Sequence, residues 1–167
     1  VSFTMVFGAC VKKTAIKKTP VTEVTEAPQL PEVEETQEPG IRGADFSKVQ
    51  GLETITFDFD RYFLADSARA ILQKNADMLK LHKDWEVLVE GHCDERGTIE
   101  YNLALGQKRA KEVREYYMRL GVKGASVGTI SYGEEKPVCE QATEECWMKN
   151  RRAETKVRLK AAVPEKK

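Results

Sequence analysis

The sequence predicts an α/β fold of the α+β sandwich type, with its elements in the order β-α-β-α-β-β. Its two main helices are expected to pack on one face of a mixed four-stranded sheet. Two observations predict this fold. Short segments of alternating apolar and polar residues, typical of half-buried strands, recur between residues 55 and 159. Two longer segments between them carry apolar residues at helical spacing. We interpret residues 45–161 as a single domain.

The first half of this domain is predicted to form a strand, a helix and a second strand. Apolar residues alternate with polar ones over residues 55–59, which indicates a strand with one buried face. A helix follows, with Asp66 or Ser67 as its N-cap. The short apolar run at residues 85–89 predicts the second strand. The apolar positions of the helix are Ala68, Ile71, Leu72, Met78, Leu79 and Leu81.

The second half is predicted to add a helix and two strands. Asn102 is expected to cap the helix, and Gly121 is expected to end it because glycine readily adopts a left-handed conformation. Alternation over residues 127–132 and 153–159 predicts the third and fourth strands, with a polar loop between them. The buried stripe of the second helix comprises Ala110, Val113, Tyr117 and Leu120.

The two ends of the chain differ in composition from the domain. Residues 1–9 are apolar or small and precede Cys10, a pattern typical of the end of a bacterial lipoprotein signal. We interpret residues 1–9 as a signal-peptide remnant and Cys10 as a lipid-attachment site; the alternative is a chance cysteine in a frayed terminus. Residues 10–44 contain four prolines and few large apolar side chains, which predicts a disordered linker. Residues 162–167 are expected to be a disordered tail.

The charge balance and the cysteines narrow the class of protein. Lysine and arginine number 27, as do aspartate and glutamate, so composition gives no electrostatic argument for a nucleic-acid partner. No apolar stretch approaches the ~20 residues of a membrane-spanning helix. Cys139 and Cys146 lie in one polar segment and can form a local disulfide in an oxidising compartment. Cys93 is then a single thiol, which we interpret as a small packed side chain.

The most informative segment of the chain is residues 87–109. An apolar run leads through Gly91 into a loop dense with ionisable groups, and a helix-like stretch follows. Together with the sequence Asn-Arg-Arg-Ala at residues 150–153, this segment resembles the peptidoglycan-binding domain of the outer membrane protein A family. The sequence EGHCDERGT at residues 90–98 resembles the lipoprotein branch of that family. The resemblance extends from about residue 54 to residue 159 and implies the same two-layer fold.

Asp94 and Arg109 are the central candidate site residues. An aspartate at a strand end and an arginine about two turns into the next helix can form a simple salt bridge, which contributes little at a surface. They can also hold the two ends of a zwitterion, because carboxylate pairs with ammonium and guanidinium pairs with carboxylate. The family resemblance favours the second interpretation. It implies that the pair binds the terminal ammonium and carboxylate of meso-diaminopimelate in peptidoglycan.

Other positions of the motifs are expected to complete the site. Phe59 and Asp60 are expected to line the cleft, and Gly91 to allow a close approach of the backbone. Thr98 and Leu105 are expected at its rim and floor, with Cys93 packed beside it. The resemblance also places His92 and Arg151 in the site. For Arg151 a solvated face is an equally good interpretation.

His92 admits a second interpretation, as a metal ligand beside Cys93 and Asp94. Adjacent residues at a strand end point in alternating directions, so these three side chains cannot easily converge on one ion. We therefore expect a structural histidine bonded to the loop backbone. No metal, cofactor or enzymatic activity is predicted, because the sequence contains no nucleophile with a convincing base, no phosphate-binding loop and no zinc-protease motif.

The sequence thus favours a non-catalytic lipoprotein that is lipid-anchored in the outer membrane, faces the periplasm and binds peptidoglycan. The resemblance implies a role in the Tol system of the cell envelope and cell division, with the β-propeller protein TolB as a partner. One alternative is a module that binds TolB without binding the wall. Another is a zinc-dependent wall hydrolase. A motor stator anchor or a porin of the same family is expected to carry a membrane-embedded segment.

Overall fold

A computed structural model describes residues 45–160. The signal remnant, the lipid attachment at Cys10, the linker and the tail that the sequence predicts lie outside these residues. The described chain forms four strands and three helices. These are β1 (Ile55–Thr56), α1 (Asp66–Leu81), β2 (Trp85–His92), α2 (Ile99–Arg119), β3 (Val127–Gly133), α3 (Glu144–Asn150) and β4 (Arg152–Leu159). No helix within residues 45–160 is both long and apolar enough to cross a membrane.

The strands form one mixed sheet in the order β1-β4-β2-β3. The central strand β2 pairs in parallel with β3 and antiparallel with β4, and β1 closes the other edge antiparallel to β4. The helices α1 and α2 supply buried side chains to the hydrophobic core of the sheet, including Leu72, Leu79, Val113 and Tyr117. The predicted fold class, with its mixed four-stranded sheet, is confirmed.

The helix ends differ from the predicted caps. Thr98, rather than Asn102, caps α2: its hydroxyl oxygen accepts the backbone N–H of Tyr101 at 3.2 Å, so the helix begins one turn earlier than predicted. The side chain of Asn102 is buried and donates to the carbonyl oxygens of Asp94 and Arg96, both at 3.2 Å. Asn102 therefore closes the loop before α2.

The start of α1 was also predicted wrongly. Neither Asp66 nor Ser67 caps this helix, because the N-cap position is Ala65, whose side chain has no hydrogen-bonding group. Asp66 lies in the first turn, where its negative charge complements the positive end of the helix dipole. The end of α2 agrees with the prediction, since Gly121 follows it with a φ of 91°.

The first strand is shorter than the predicted 55–59. Phe57 still joins the core, and its N–H donates to the carbonyl oxygen of Arg151 at 2.8 Å. The chain then turns at Asp60, which has a φ of 56° in the left-handed region. Because of this turn Phe59 does not enter the core and is 54% exposed.

The predicted polar loop between β3 and β4 contains the short helix α3. The Thr143 hydroxyl caps it by accepting the N–H of Cys146 at 3.4 Å, and Cys139 is joined to Cys146 in a disulfide. Asn150 closes the segment, because its side chain accepts from the N–H of Val138 and donates to the carbonyl oxygen of Cys139. A seven-residue helix has little intrinsic stability, so its sequence pattern gives a weak signal.

Candidate functional site

A cleft of about 230 Å³ lies at the carboxyl end of β2. It is bordered by the loop between β2 and α2, the first turns of α2, the segment after β1 and the start of β4. Seven of the predicted site residues line it: Phe59, Asp60, Cys93, Asp94, Leu105, Arg109 and Arg151. Four further lining residues were not singled out from the sequence: Arg96, Gly97, Tyr101 and Asn102.

Arg109 is a buried cation at the cleft, with no exposed side-chain surface. Its guanidinium donates to the main-chain carbonyl oxygens of Arg61 at 2.8 Å, His92 at 2.7 Å and Asp58 at 3.2 Å. Burial lowers the pKa of Arg109 from its ordinary value. Within the part of the chain that the structure describes, no carboxylate forms an ion pair with it. Carbonyl dipoles, the Phe57 ring at 5.0 Å and the more distant charges of Asp94 and Asp60 therefore offset the burial of this positive charge.

Asp94 lines the same cleft but pairs with other arginines. Arg96 donates to both carboxylate oxygens, at 3.3 Å from Nε and 2.7 Å from Nη2, and Arg151 Nη1 lies 3.2 Å from Oδ2. Burial alone would raise the pKa of Asp94, but the hydrogen bonds from Arg96 and Arg151 outweigh it and lower the pKa. Asp94 is therefore an ionised carboxylate, and Asp94 and Arg109 do not form a salt bridge with each other.

The guanidinium of Arg96 contacts two aromatic rings. It is 4.0 Å from the ring centroid of Phe59 and 4.2 Å from that of Trp147. Trp147 lies on α3, and its indole N–H donates to Glu95 at 3.0 Å, which ties α3 to the loop between β2 and α2. Arg96 thus combines an ion pair with two cation–π contacts.

Arg151 links the cleft to β1 and α3. Its Nε donates to the carbonyl oxygen of Phe57 at 3.1 Å, and its Nη2 lies 2.8 Å from Glu144. With the contact to Asp94, this side chain joins three segments that are distant in sequence. The geometry therefore favours a role in the cleft over the solvated face considered for Arg151, since the side chain is buried.

Three contacts complete the cleft wall. Tyr101 donates its phenol hydrogen to Asp60, and this bond raises the pKa of Tyr101. Cys93 donates from Sγ to the carbonyl oxygen of Asn102 at 3.3 Å and receives a contact from Arg109 Nη1 at 3.4 Å. Burial raises the pKa of the Cys93 thiol to about 11, so it is uncharged at neutral pH.

Gly91 and Thr98 do not line the cleft, although both act near it. A Cβ on Gly91 would lie 1.9 Å from the carbonyl oxygen of Gly106 in α2, so this glycine allows close packing of strand and helix. The close backbone approach expected at Gly91 therefore exists, but its partner is α2. Thr98 caps α2 and positions the start of that helix, instead of forming the rim.

The prediction for the His92 side chain is wrong on two counts. The ring does not line the cleft, because it stacks on Tyr132 and lies beside Glu90, on the sheet face away from α2. Neither ring nitrogen has a hydrogen-bond partner within residues 45–160, so the expected bond to the loop backbone is absent there. Burial lowers the pKa of His92. The contribution of His92 to the cleft is its main-chain carbonyl oxygen, which accepts a hydrogen bond from Arg109.

The ligand set of the hydrolase alternative is not assembled. His92 and Cys93 lie on opposite sides of the sheet, and the one candidate metal-ligating group found within the described residues is Glu90, His92 and Glu154. Lys156 Nζ already lies 2.7 Å from Glu90 and 3.9 Å from Glu154. An ammonium group of the protein therefore supplies the positive charge between these two carboxylates.

The fold and the cleft together identify the class of protein. The model of the OmpA family matches residues 56–151, and the chain belongs to this family. This stretch contains the cleft and every residue that lines it.

Named proteins and solved structures show more closely what the chain is similar to. Over 111 residues, 66% of this chain, it is 46% identical to the peptidoglycan-associated lipoprotein of Rhizobium meliloti (strain 1021). The match spans 62% of that relative's length. A crystal structure of the peptidoglycan-associated lipoprotein from Burkholderia pseudomallei is 47% identical, covers 63% of this chain and 89% of that chain, and has a TM-score of 0.61. The structure of the cell wall anchor of the type VI secretion system (T6SS) from Pseudomonas aeruginosa is 30% identical. The match covers 64% of this chain and 80% of that chain, with a TM-score of 0.56.

Proposed function

We propose that this protein is a non-catalytic lipoprotein that anchors the outer membrane to peptidoglycan. Lipid on Cys10 holds it in the outer membrane, the linker crosses part of the periplasm, and the cleft binds the meso-diaminopimelate side chain of the peptide stem. Asp94 accepts the ammonium group of that side chain, and Arg109 donates to its carboxylate. The protein acts in the Tol-Pal system of the cell envelope and cell division.

The buried charge of Arg109, which has no ion-pair partner among the described residues, carries this proposal. A buried cation is costly unless it is paired, and carbonyl dipoles offset only part of that cost. Three of its five N–H groups meet carbonyl oxygens and a fourth contacts the Cys93 sulfur, which leaves a donor for a ligand. A carboxylate entering the cleft would supply the missing counter-ion.

The names of the relatives support the same class of ligand. The Rhizobium meliloti and Burkholderia pseudomallei proteins are named as peptidoglycan-associated, and the Pseudomonas aeruginosa structure is named as a cell wall anchor. Peptidoglycan stems with meso-diaminopimelate present an ammonium and a carboxylate on one carbon. A site with both an acceptor carboxylate and a donor guanidinium suits that pair.

Co-sedimentation with purified peptidoglycan tests the proposal. The full chain is mixed with sacculi that contain meso-diaminopimelate or, in a parallel sample, lysine. We expect sedimentation with the first and much less with the second, and the Asp94→Ala variant should stay in the supernatant. Asp84→Ala is the matched control, since this exposed aspartate precedes β2 at the other end of the strand. Equal sedimentation with both sacculi would contradict the proposed ligand.

A second candidate function is binding to TolB. Phe59 and Tyr101 line the cleft and are 54% and 51% exposed, which is unusual for large aromatic side chains and typical of protein interfaces. A module that binds TolB alone would retain TolB in a pull-down with the wild-type chain. It would not bind sacculi in the wild-type form.

A further inference from the structure

We propose that Arg96 is an internal occupant of the ammonium-binding half of the cleft and that the ligand must displace it. This inference rests on the proposed function, in which Asp94 receives an ammonium group. In the structure both oxygens of that carboxylate are already engaged by a cation of the protein itself. Arg96 would then set both the affinity and the selectivity of the site.

The contacts of Arg96 match those expected of a bound cation. Its Nη2 lies 2.7 Å from Asp94 Oδ2, and its Nε lies 3.3 Å from Oδ1. The guanidinium also contacts the rings of Phe59 and Trp147. A carboxylate together with aromatic rings is a combination by which proteins bind ammonium groups. Arg96 and an incoming ammonium therefore compete for one acceptor.

Arg96 can leave more easily than the other two arginines of the cleft. Its side chain is 31% exposed, whereas the Arg151 side chain is 6% exposed and Arg109 is fully buried. It also lies in the loop between β2 and α2, so rotation about its own side-chain bonds takes it into solvent. Its other ion pair, 3.6 Å to Glu144, is long and involves a glutamate that is 63% exposed.

Asp94 keeps its position without the Arg96 side chain. The backbone N–H of residue 96 donates to Asp94 Oδ1 at 3.1 Å, and Arg151 donates to Oδ2 at 3.2 Å. These two bonds remain when the Arg96 guanidinium moves away. The Arg96 side chain is therefore not needed to orient the Asp94 carboxylate. This distinguishes Arg96, as an occupant of the site, from a residue that only supports Asp94.

The charge of the cleft supports displacement. Its acidic and basic lining residues are Asp60, Asp94, Arg96, Arg109 and Arg151, which gives three formal positive charges against two negative ones. Once Arg96 has left, two cations face two anions, and a zwitterion enters without changing that balance. With Arg96 in place the cleft favours an anion, so the guanidinium selects against ligands that offer only an ammonium group.

The test uses the full chain with Trp85→Phe, which leaves Trp147 as the only tryptophan. Calorimetric titration with a soluble muropeptide that contains meso-diaminopimelate gives the affinity of the protein with Arg96 and of its Arg96→Ala and Arg96→Lys variants. Trp147 emission is followed in parallel and reports displacement of the guanidinium. Arg119→Ala serves as the charge-matched control, because this arginine is 57% exposed at the end of α2. Asp94→Ala in the same background reports whether the ligand uses the cleft.

If Arg96 is an internal occupant, Arg96→Ala binds the muropeptide about three- to tenfold more tightly, as expected for loss of a partly exposed ion pair and its cation–π contacts. The affinity of Arg96→Lys lies between those of wild type and Arg96→Ala. The ligand changes Trp147 emission only when Arg96 is present. Equal or weaker binding by Arg96→Ala overturns the inference while wall binding stands. If neither the protein with Arg96 nor the Arg96→Ala variant binds the muropeptide, the proposed function fails and the inference fails with it.

Discussion

Gly91 and Gly106 bring β2 and α2 into backbone contact directly below the cleft. A Cβ on Gly91 would lie 1.9 Å from the carbonyl oxygen of Gly106, and one on Gly106 would lie 3.0 Å from the carbonyl oxygen of Gly91. Arg109 lies one turn further along α2, and His92 follows Gly91 in β2. The close approach therefore lets the Arg109 guanidinium reach the carbonyl oxygen of His92 at 2.7 Å.

The Gly91→Ala variant should be strongly destabilised. The new methyl group meets main-chain atoms, which cannot rotate away, so strand and helix must separate. Overpacking of this kind costs roughly 3 kcal/mol or more of the free energy of unfolding. Urea unfolding measures the loss. In the control variant Gly124→Ala the methyl group meets only the flexible Met118 side chain, and that variant should lose less than about 1 kcal/mol. Equal losses in the two variants would contradict this account.

The His92→Ala variant should reduce stability without weakening the binding of a muropeptide. Removal of the buried ring leaves a cavity beside Tyr132, which costs about 1–3 kcal/mol. The ring lies on the sheet face away from the cleft, and alanine keeps the carbonyl that holds Arg109. Calorimetric titration should give an affinity within about twofold of wild type. A tenfold loss would show that the ring contacts the ligand after all.

The disulfide between Cys139 and Cys146 should stabilise the wall of the cleft that α3 provides. Replacement of both cysteines by serine should lower the free energy of unfolding by about 2–3 kcal/mol, because the unfolded chain regains the freedom of a short loop. Trp147 and Glu144 should also become more mobile, since both lie on α3. Hydrogen exchange of the α3 amides would show this. Unchanged protection of those amides would mean that Thr143 and Asn150 suffice to hold the helix.

The Glu154 carboxylate should make the domain sensitive to acid. Burial alone would raise its pKa, but hydrogen bonds from Lys48 and Arg152 lower it from 4.5 to about 2. A carboxyl group with a lowered folded-state pKa stabilises the protein above its unfolded-state value, and that contribution disappears as the pH falls towards 2. We expect Glu154→Gln to lose about 2 kcal/mol at pH 7 and to match wild type near pH 2. Thermal unfolding between pH 2 and 7 measures the difference.

Much of the fold could be predicted from the sequence because periodicity reports which face of an element is buried. The alternation near Val127 and Val157 and the helical stripe through Val113 and Tyr117 all correspond to observed core positions. The ends of elements were less predictable. Asn102 has the side chain of a cap, but its amide is used by the carbonyl oxygens of a loop, and only the folded loop brings them within reach.

In the cleft, too, local patterns could be predicted from the sequence, whereas contacts between distant segments could not. Asp94 and Arg109 belong to a local motif, so their place in one cleft could be predicted from spacing. The contact between Asp94 and Arg151 could not be predicted, because the two residues are 57 positions apart. The contact between Arg96 and Trp147 could not be predicted either, because Trp147 lies on α3. Arg96 lies within the motif at residues 90–98, and its signal is local, because an arginine two positions after an aspartate can fold back onto it.

We propose that Arg109, which has no ion-pair partner among the described residues, receives the carboxylate of the ligand. Calorimetry with two soluble muropeptides, one with meso-diaminopimelate and one with lysine, tests it most directly, because lysine lacks the side-chain carboxylate. Loss of one charge-assisted hydrogen bond costs about 1.5–3 kcal/mol, so wild type should bind the first ligand about ten- to a hundredfold more tightly. The Arg109→Lys variant should lose most of that preference, whereas Arg119→Lys should keep it. Equal affinity of wild type for the two ligands would contradict the account.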